Sequence, residues 1–240
     1  MSITRDLFNE RRAEIEAYFS FLSDLVDRKA ALVFALAPGA MSEPETKPVG
    51  IDLLHTLKAN GFMLLYNLAE ASIGGAIEEI HATIATHTTL HLDALIDPLT
   101  QRAMHKFRSG AMTISNHCTY PVSQSVLRYW LDDHQKATTE NRNTLFSGNI
   151  DAKKVREVAT DYGFSVKTGR AAKGGKRLLE VKSKRNALAH GKIAFKDCGQ
   201  SLPMTELQEI KTEVIHYLDD ILTNVEDYLS NQSYLRPTTP

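Results

Sequence analysis

Little in this chain could hold it together by covalent or metal chemistry. Only two of its 240 residues are cysteine, Cys118 and Cys198, 80 positions apart and without metal-ligand spacing. A disulfide-stapled scaffold and a zinc-knuckle module are thereby excluded, and two free thiols in a reducing cytosol are expected. The longest uncharged apolar run, Ala30 to Ala37, is far short of a bilayer span, and the charged stretch Met1 to Arg12 is unlike a signal peptide. No membrane association and a cytoplasmic location are expected. No segment alternates with the period of a strand, and there is no internal repeat. A Gly-x-Ser-x-Gly elbow is missing, as are paired carboxylates in a supporting context. Gly169-x4-Gly174 continues as Gly175-Lys176-Arg177 instead of Gly-Lys-Ser/Thr and follows no strand, which removes the P-loop class.

What is present suits one helical unit. A hydrophobic fraction of 42% over this length can bury one sizeable core, so a single domain over 1–240 is expected. The overall charge is near neutral, which argues against a protein that coats DNA. Its distribution is uneven. Between Lys153 and Lys192, 12 Lys and Arg face three acids, Glu157, Asp161 and Glu180, a local net of +9; the rest of the chain, with 16 basic and 26 acidic residues, carries −10. Such a segment is either a polyanion-binding region or a solvated lysine-rich face, and charge alone does not separate the two.

Apolar residues recur at helical spacing from Thr4 to Phe34, through Leu7, Phe8, Ile15, Phe19, Leu22, Leu25, Val26, Leu32 and Val33, predicting one long amphipathic helix. Ala37 to Gly50, with three prolines and two glycines, predicts a loop. A second long helix is predicted over Ile51 to Thr86. Gly74-Gly75 in its middle costs roughly 1 kcal/mol per glycine relative to alanine, which close approach of another helix would offset. Asn67 and Glu70 lie on the same strip as Gly74. His87 to Tyr120 is hard to read beyond a short helix near Pro98 to Phe107. Helical spacing returns over Val122 to Gln135. Asn149 or Asp151 is expected to cap a short helix that stops at Tyr162-Gly163. A basic, glycine-containing loop follows over Thr168 to Gly175, then a helix from Arg177 to Ala189 closed by Gly191, and a last long helix opening at Pro203.

The chemistry-bearing residues sit at the end of the Arg177 helix. Its apolar stripe runs Leu178, Val181, Leu188, and Arg185, one heptad after Leu178, falls on that stripe. A guanidinium there is costly unless it is paired or lines a polar cleft, so Glu70 is the expected partner and Asn67 the fallback. His190 follows five residues later, about 140° round an ideal helix, and Gly191 allows the chain to change direction. An imidazole in the last turn feels the negative end of the helix dipole, which suits it to proton exchange near neutral pH. An arginine fork beside such a histidine fits phosphodiester chemistry, the histidine moving a proton and the guanidinium stabilising phosphate charge. An Arg-x4-His spacing by itself occurs by chance in many chains and favours a structural role over a catalytic one.

Resemblance sharpens this reading. Arg185-Asn186-Ala187-Leu188-Ala189-His190-Gly191 resembles the signature of the HEPN superfamily. Lys58-Ala59-Asn60-Gly61, the run Leu64 to Glu70, Ser147-Gly148-Asn149-Ile150-Asp151 before the Tyr162-Gly163 stop, and Leu179-Glu180-Val181-Lys182 are similar to the MAE-type HEPN nucleases of bacteria; together they span about 50–200. The resemblance implies an all-α antiparallel helical bundle. It implies a homodimer that places two motifs in one cleft, and RNA cleavage without a metal or other cofactor, by attack of the ribose 2′-OH. Arg185 and His190 would be catalytic and Asn186 would orient the site. Glu70 and Asn67 would support it, and Lys182, Lys184 and Lys192 would contact RNA phosphates. Such nucleases act as toxins or in phage defence, which implies an antitoxin or another defence-system partner. Inactive relatives exist, so the alternative is a non-catalytic HEPN module that binds a nucleotide or a partner protein. Elsewhere, His87-x3-His91 with Asp93 nearby could set two imidazoles on one helix face, but no third ligand is evident and ordinary surface or core histidines account for them better.

Overall fold

The computed structural model describes residues 2–34, 44–87, 90–109, 121–140 and 149–237. Cys118, Ser147-Gly148, positions 37–43 of the expected loop and 110–120 of the stretch that was hard to read lie outside the described residues. Among those described there are eight α-helices and one two-stranded sheet. The protein is therefore essentially all-helical.

The first helix, α1 (Ile3–Val26), opens on Ser2, whose hydroxyl accepts from the Arg5 amide at 3.1 Å. Phe8, Ile15, Phe19, Leu22 and Leu25 turn its buried face inward. It stops eight residues before the expected end at Phe34. Asp27, Arg28 and Lys29 supply no apolar position to bury, and Lys29 turns left-handed at φ 54. The chain then forms β1 (Ala31–Phe34), paired antiparallel with β2 (Glu45–Pro48) in a register that sets Ala31 against Pro48 and Phe34 against Glu45. The expectation of no strand, and of a loop through Pro48, is corrected here. All eight sheet residues are exposed, so neither face carries the alternation by which a half-buried strand is read.

The organising element is α2 (Ile51–Thr86), 36 residues and about 54 Å long, with the bounds its periodicity predicts. Antiparallel to it, α1 sets Phe19 beside Gly61 and Thr4 over Gly75, where an added Cβ would meet the threonine side chain at 3.1 Å. The expected gain from the glycine pair thus falls on Gly75 alone. A Cβ on Gly74 would meet nothing within 4 Å.

The last helix, α8 (Met204–Ser230), lies antiparallel to α1: Arg5 binds Asp219 and Glu226 at one end, and Lys211 binds Glu16 at the other. Pro203 serves as its N-cap. A short helix not anticipated from sequence, α7 (Phe195–Gln200), packs so tightly on the start of α2 that a Cβ on Gly199 would sit 1.9 Å from the His55 carbonyl oxygen. Cys198, on the same helix, is a buried free thiol that burial holds above its ordinary pKa.

Toward its far end α2 packs against α4 (Val122–Thr139), and α3 (Asp97–Ser109) packs against both α4 and α5 (Ala152–Tyr162). Asp151 caps α5, and Gly163 closes it at φ 83, as the sequence predicts. His87 ends α2 and bonds the Tyr234 hydroxyl at 2.8 Å, while His91 lies beyond the helix end. The two histidines therefore share no helix face.

Where α2, α4 and α5 meet, His81 is stacked on His134 at 3.6 Å and bonds the Tyr162 hydroxyl at 2.9 Å. Burial, first of all, drives both imidazoles toward the neutral form. His134 and Arg102 add to this for His81, and Arg102 outweighs Asp133 for His134. His134 is lowered to about 4 and His81 well below 6.5. Above pH 6.5 the folded and unfolded chains bind equal protons at these sites. As pH falls from 6.5 toward 4, the unfolded chain takes up protons that the folded chain refuses, and stability is lost. The loss expected is on the order of 1–2 kcal/mol, allowing for screening at the partly exposed His134 ring. Unfolding free energies from urea titrations at pH 7 and pH 5 should differ by that much, and the difference should shrink in His134→Phe to the part that buried His81 carries. Equal free energies in the unsubstituted protein would refute this account.

Candidate active site

The polar constellation is built on α6 (Lys176–Ala189). The helix starts abruptly because Lys173, Gly174 and Gly175 all take positive φ; at Gly175 a Cβ would strike the Tyr217 ring and Ala152 at 2.7 and 2.8 Å. Leu178, Val181 and Leu188 bury its apolar stripe, which leaves Arg185 facing inward as its position predicts.

Arg185 meets an aromatic face there. Its guanidinium carbon lies 4.4 Å from the centroid of the Tyr66 ring, and Tyr66 on α2 is fully buried. Nε is buried without a hydrogen-bond acceptor, and Nη1 donates to the Asn186 side-chain oxygen at 3.0 Å. No carboxylate pairs with Arg185 among the described residues, so the expected Glu70 ion pair is corrected, and Asn67 does not replace it. Glu70 stands one helical turn beyond Tyr66, facing a groove between α1 and α2 that Asn67 also lines. An aromatic face can hold a planar guanidinium without neutralising it, at about 0.5–2 kcal/mol depending on desolvation. The arginine's charge and much of its donor fork are left for an anion.

Three consecutive residues clasp this arrangement. Asn149 accepts from the Asn186 amide at 3.5 Å, the Ile150 amide donates to the Tyr66 hydroxyl at 3.2 Å, and Asp151 binds Lys182. The other Asp151 oxygen accepts from the Lys154 amide at 2.8 Å, capping α5. Burial alone would raise the Asp151 carboxyl, but the Lys182 and backbone hydrogen bonds win and hold it below its ordinary pKa. One aspartate therefore ties the start of α5 to α6 one turn before Arg185. Lys182, expected to face RNA, has this internal partner.

His190 is the C-cap of α6, its backbone near the bridge region at φ −94 and ψ 8. Gly191, at φ 65, donates to Leu188 O at 3.1 Å, and Lys192 donates to Ala187 O at 2.8 Å, the paired bonds of a Schellman turn. The helix ends where the glycine predicts. The His190 side chain is exposed and makes no hydrogen bond among the described residues. Lys192 is exposed and Lys184 half-buried. Sequence reasoning singled out Arg185, Asn186 and His190 but missed Tyr66 and the clasp. Tyr66 lies within the run Leu64 to Glu70, but no local signal distinguishes an aromatic that supports an arginine from one that fills a core.

No helix among the described residues is long and apolar enough to cross a membrane. No group of three or more His, Cys, Asp or Glu among them could hold a metal ion. The family model that matches this chain is that of the MAE_28990-like HEPN domains, over residues 2–234. No curated protein and no solved structure matches it significantly.

Proposed function

Because the chain belongs to the MAE_28990-like HEPN family, whose class is nuclease-like or RNA-related, we propose that it is an endoribonuclease that cleaves by 2′-OH attack, without a metal. The observation that carries the reading is an arginine held by an aromatic ring, with no carboxylate among the described residues to quench it, on the helix that ends at an exposed histidine. Arg185 stabilises charge on the non-bridging phosphate oxygens. Asn186, in contact with its guanidinium, orients it. His190 moves the proton. In this scheme the 2′-oxygen forms a bond to phosphorus as it loses its proton, and the bond to the 5′-oxygen breaks as that oxygen gains one. The products are a 2′,3′-cyclic phosphate and a 5′-OH.

Proton removal and proton delivery are two tasks, and each chain offers one such histidine. A homodimer in which two copies of the motif face one cleft supplies both, since an isologous interface near the motif brings both copies to one axis. Lys184 and Lys192 would contact flanking phosphates, with Lys182 shared between that role and Asp151. The resemblance adds a setting in toxin–antitoxin or phage-defence systems. The decisive substrate is an RNA with one 2′-deoxy substitution at the cleavage site, incubated in EDTA beside the unmodified RNA. Cleavage of the unmodified RNA alone is expected. Equal cleavage of both, or activity only when magnesium is restored, would overturn the mechanism.

A further inference from the structure

Two helical stripes on the outer side of α1 and α2 have no partner element among the described residues. On α1 they are Leu7, Arg11 and Glu14; on α2, Leu64, Ala71, Gly74 and Glu78, with buried Leu68 beneath them. Between them runs a groove of about 690 Å³ with an apolar, small-residue floor, and Leu7 stands at its lip 44% exposed. Gly75 is explained by Thr4 packing on it, but Gly74 is not. Nothing among the described residues comes within 4 Å of where its Cβ would be, so no contact among them offsets the helix propensity forfeited there. Backbone bared on the floor of a groove lets a second backbone come close.

Charge says what kind. Glu14, Glu70 and Glu78 line the groove, and none forms an ion pair or side-chain hydrogen bond among the described residues; Arg11 is the groove's one cation there. An occupant must bring positive charge to face three unpaired carboxylates. A second copy of the chain is poorly equipped for this, because α6, in its basic segment, already buries Leu178, Val181 and Leu188 in its own core.

We propose that the groove docks a basic amphipathic helix of another protein. Small and apolar residues of that helix rest on Leu64, Ala71 and Gly74, and its lysines or arginines face Glu14, Glu70 and Glu78. The α2 stripe from Leu64 to Glu78 is about 21 Å long, which four turns of helix cover.

The test titrates the full chain with two fluorescent 18-residue helical peptides that share one leucine–alanine face, one carrying lysine elsewhere and the other glutamate. The lysine peptide should bind, more weakly as salt rises, and the glutamate peptide should not. Gly74→Leu, at an open helical position, should keep or raise the melting temperature while weakening lysine-peptide binding at least tenfold. Glu14→Lys with Glu78→Lys should weaken it comparably. Equal binding of both peptides, or an unchanged affinity in Gly74→Leu, would overturn the proposal. So would sedimentation showing that Gly74→Leu splits a dimer of the chain, which would give the groove to a second copy.

Discussion

Replacement of His190 by alanine is expected to slow cleavage of a saturating RNA by about 10²–10⁴-fold, the usual worth of general acid–base help. The melting temperature should stay within about a degree, because an exposed surface substitution away from structural contacts changes stability by roughly 0.5 kcal/mol or less. The side chain is exposed and makes no hydrogen bond among the described residues, and the turn that ends α6 is held by the backbone of Gly191 and Lys192. Arg185→Lys should be at least as damaging to cleavage, since an ammonium keeps the charge but loses the fork. Single-turnover rates beside thermal melts would check both. If His190→Ala cleaves within a few fold of the unsubstituted protein, the histidine is not the proton-transfer group and another residue moves the proton.

Tyr66→Leu should produce the second large effect, and its comparison with Tyr66→Phe isolates the cause. Leucine removes the surface under the Arg185 guanidinium, leaves a cavity and strands the Ile150 amide. A misplaced guanidinium can cost on the order of 10²-fold in kcat. Phenylalanine keeps the ring and loses only the acceptor for Ile150, a cost of about 1–3 kcal/mol in stability. The expected outcome is a destabilised Phe variant with near-normal kcat and a Leu variant whose kcat falls far more than its KM rises. Equal kcat losses in variants of matched stability would show that the ring fills space and does not position the arginine.

Much of the fold was legible because its causes are local. The bounds of α2, the Asp151 cap, the Gly163 stop and the turn at Gly191 each depend on residues within a few positions of one another. Local patterning misled at Ala30 to Phe34, where an apolar run reads as the end of a helix. There, the polar residues before it and pairing with a segment more than ten positions on made an exposed strand. It was silent on α7, which is too short to show a period and owes its place to Gly199 meeting the α2 backbone.

The candidate site divides along the same line. By itself the sequence determined that Arg185 would face inward, that α6 would end at His190, and that charge would gather between Lys153 and Lys192, since helical period, a glycine after a helix and composition are all properties of neighbouring residues. Only the tertiary structure decided what Arg185 would meet. A carboxylate and an aromatic ring one turn apart on α2 are equally acceptable partners for a guanidinium, and choosing between them takes an ångström-scale registration of α6 on α2. That registration is enforced by contacts far apart in the chain: Asp151 on Lys182, Ile150 on Tyr66 and Asn149 on Asn186.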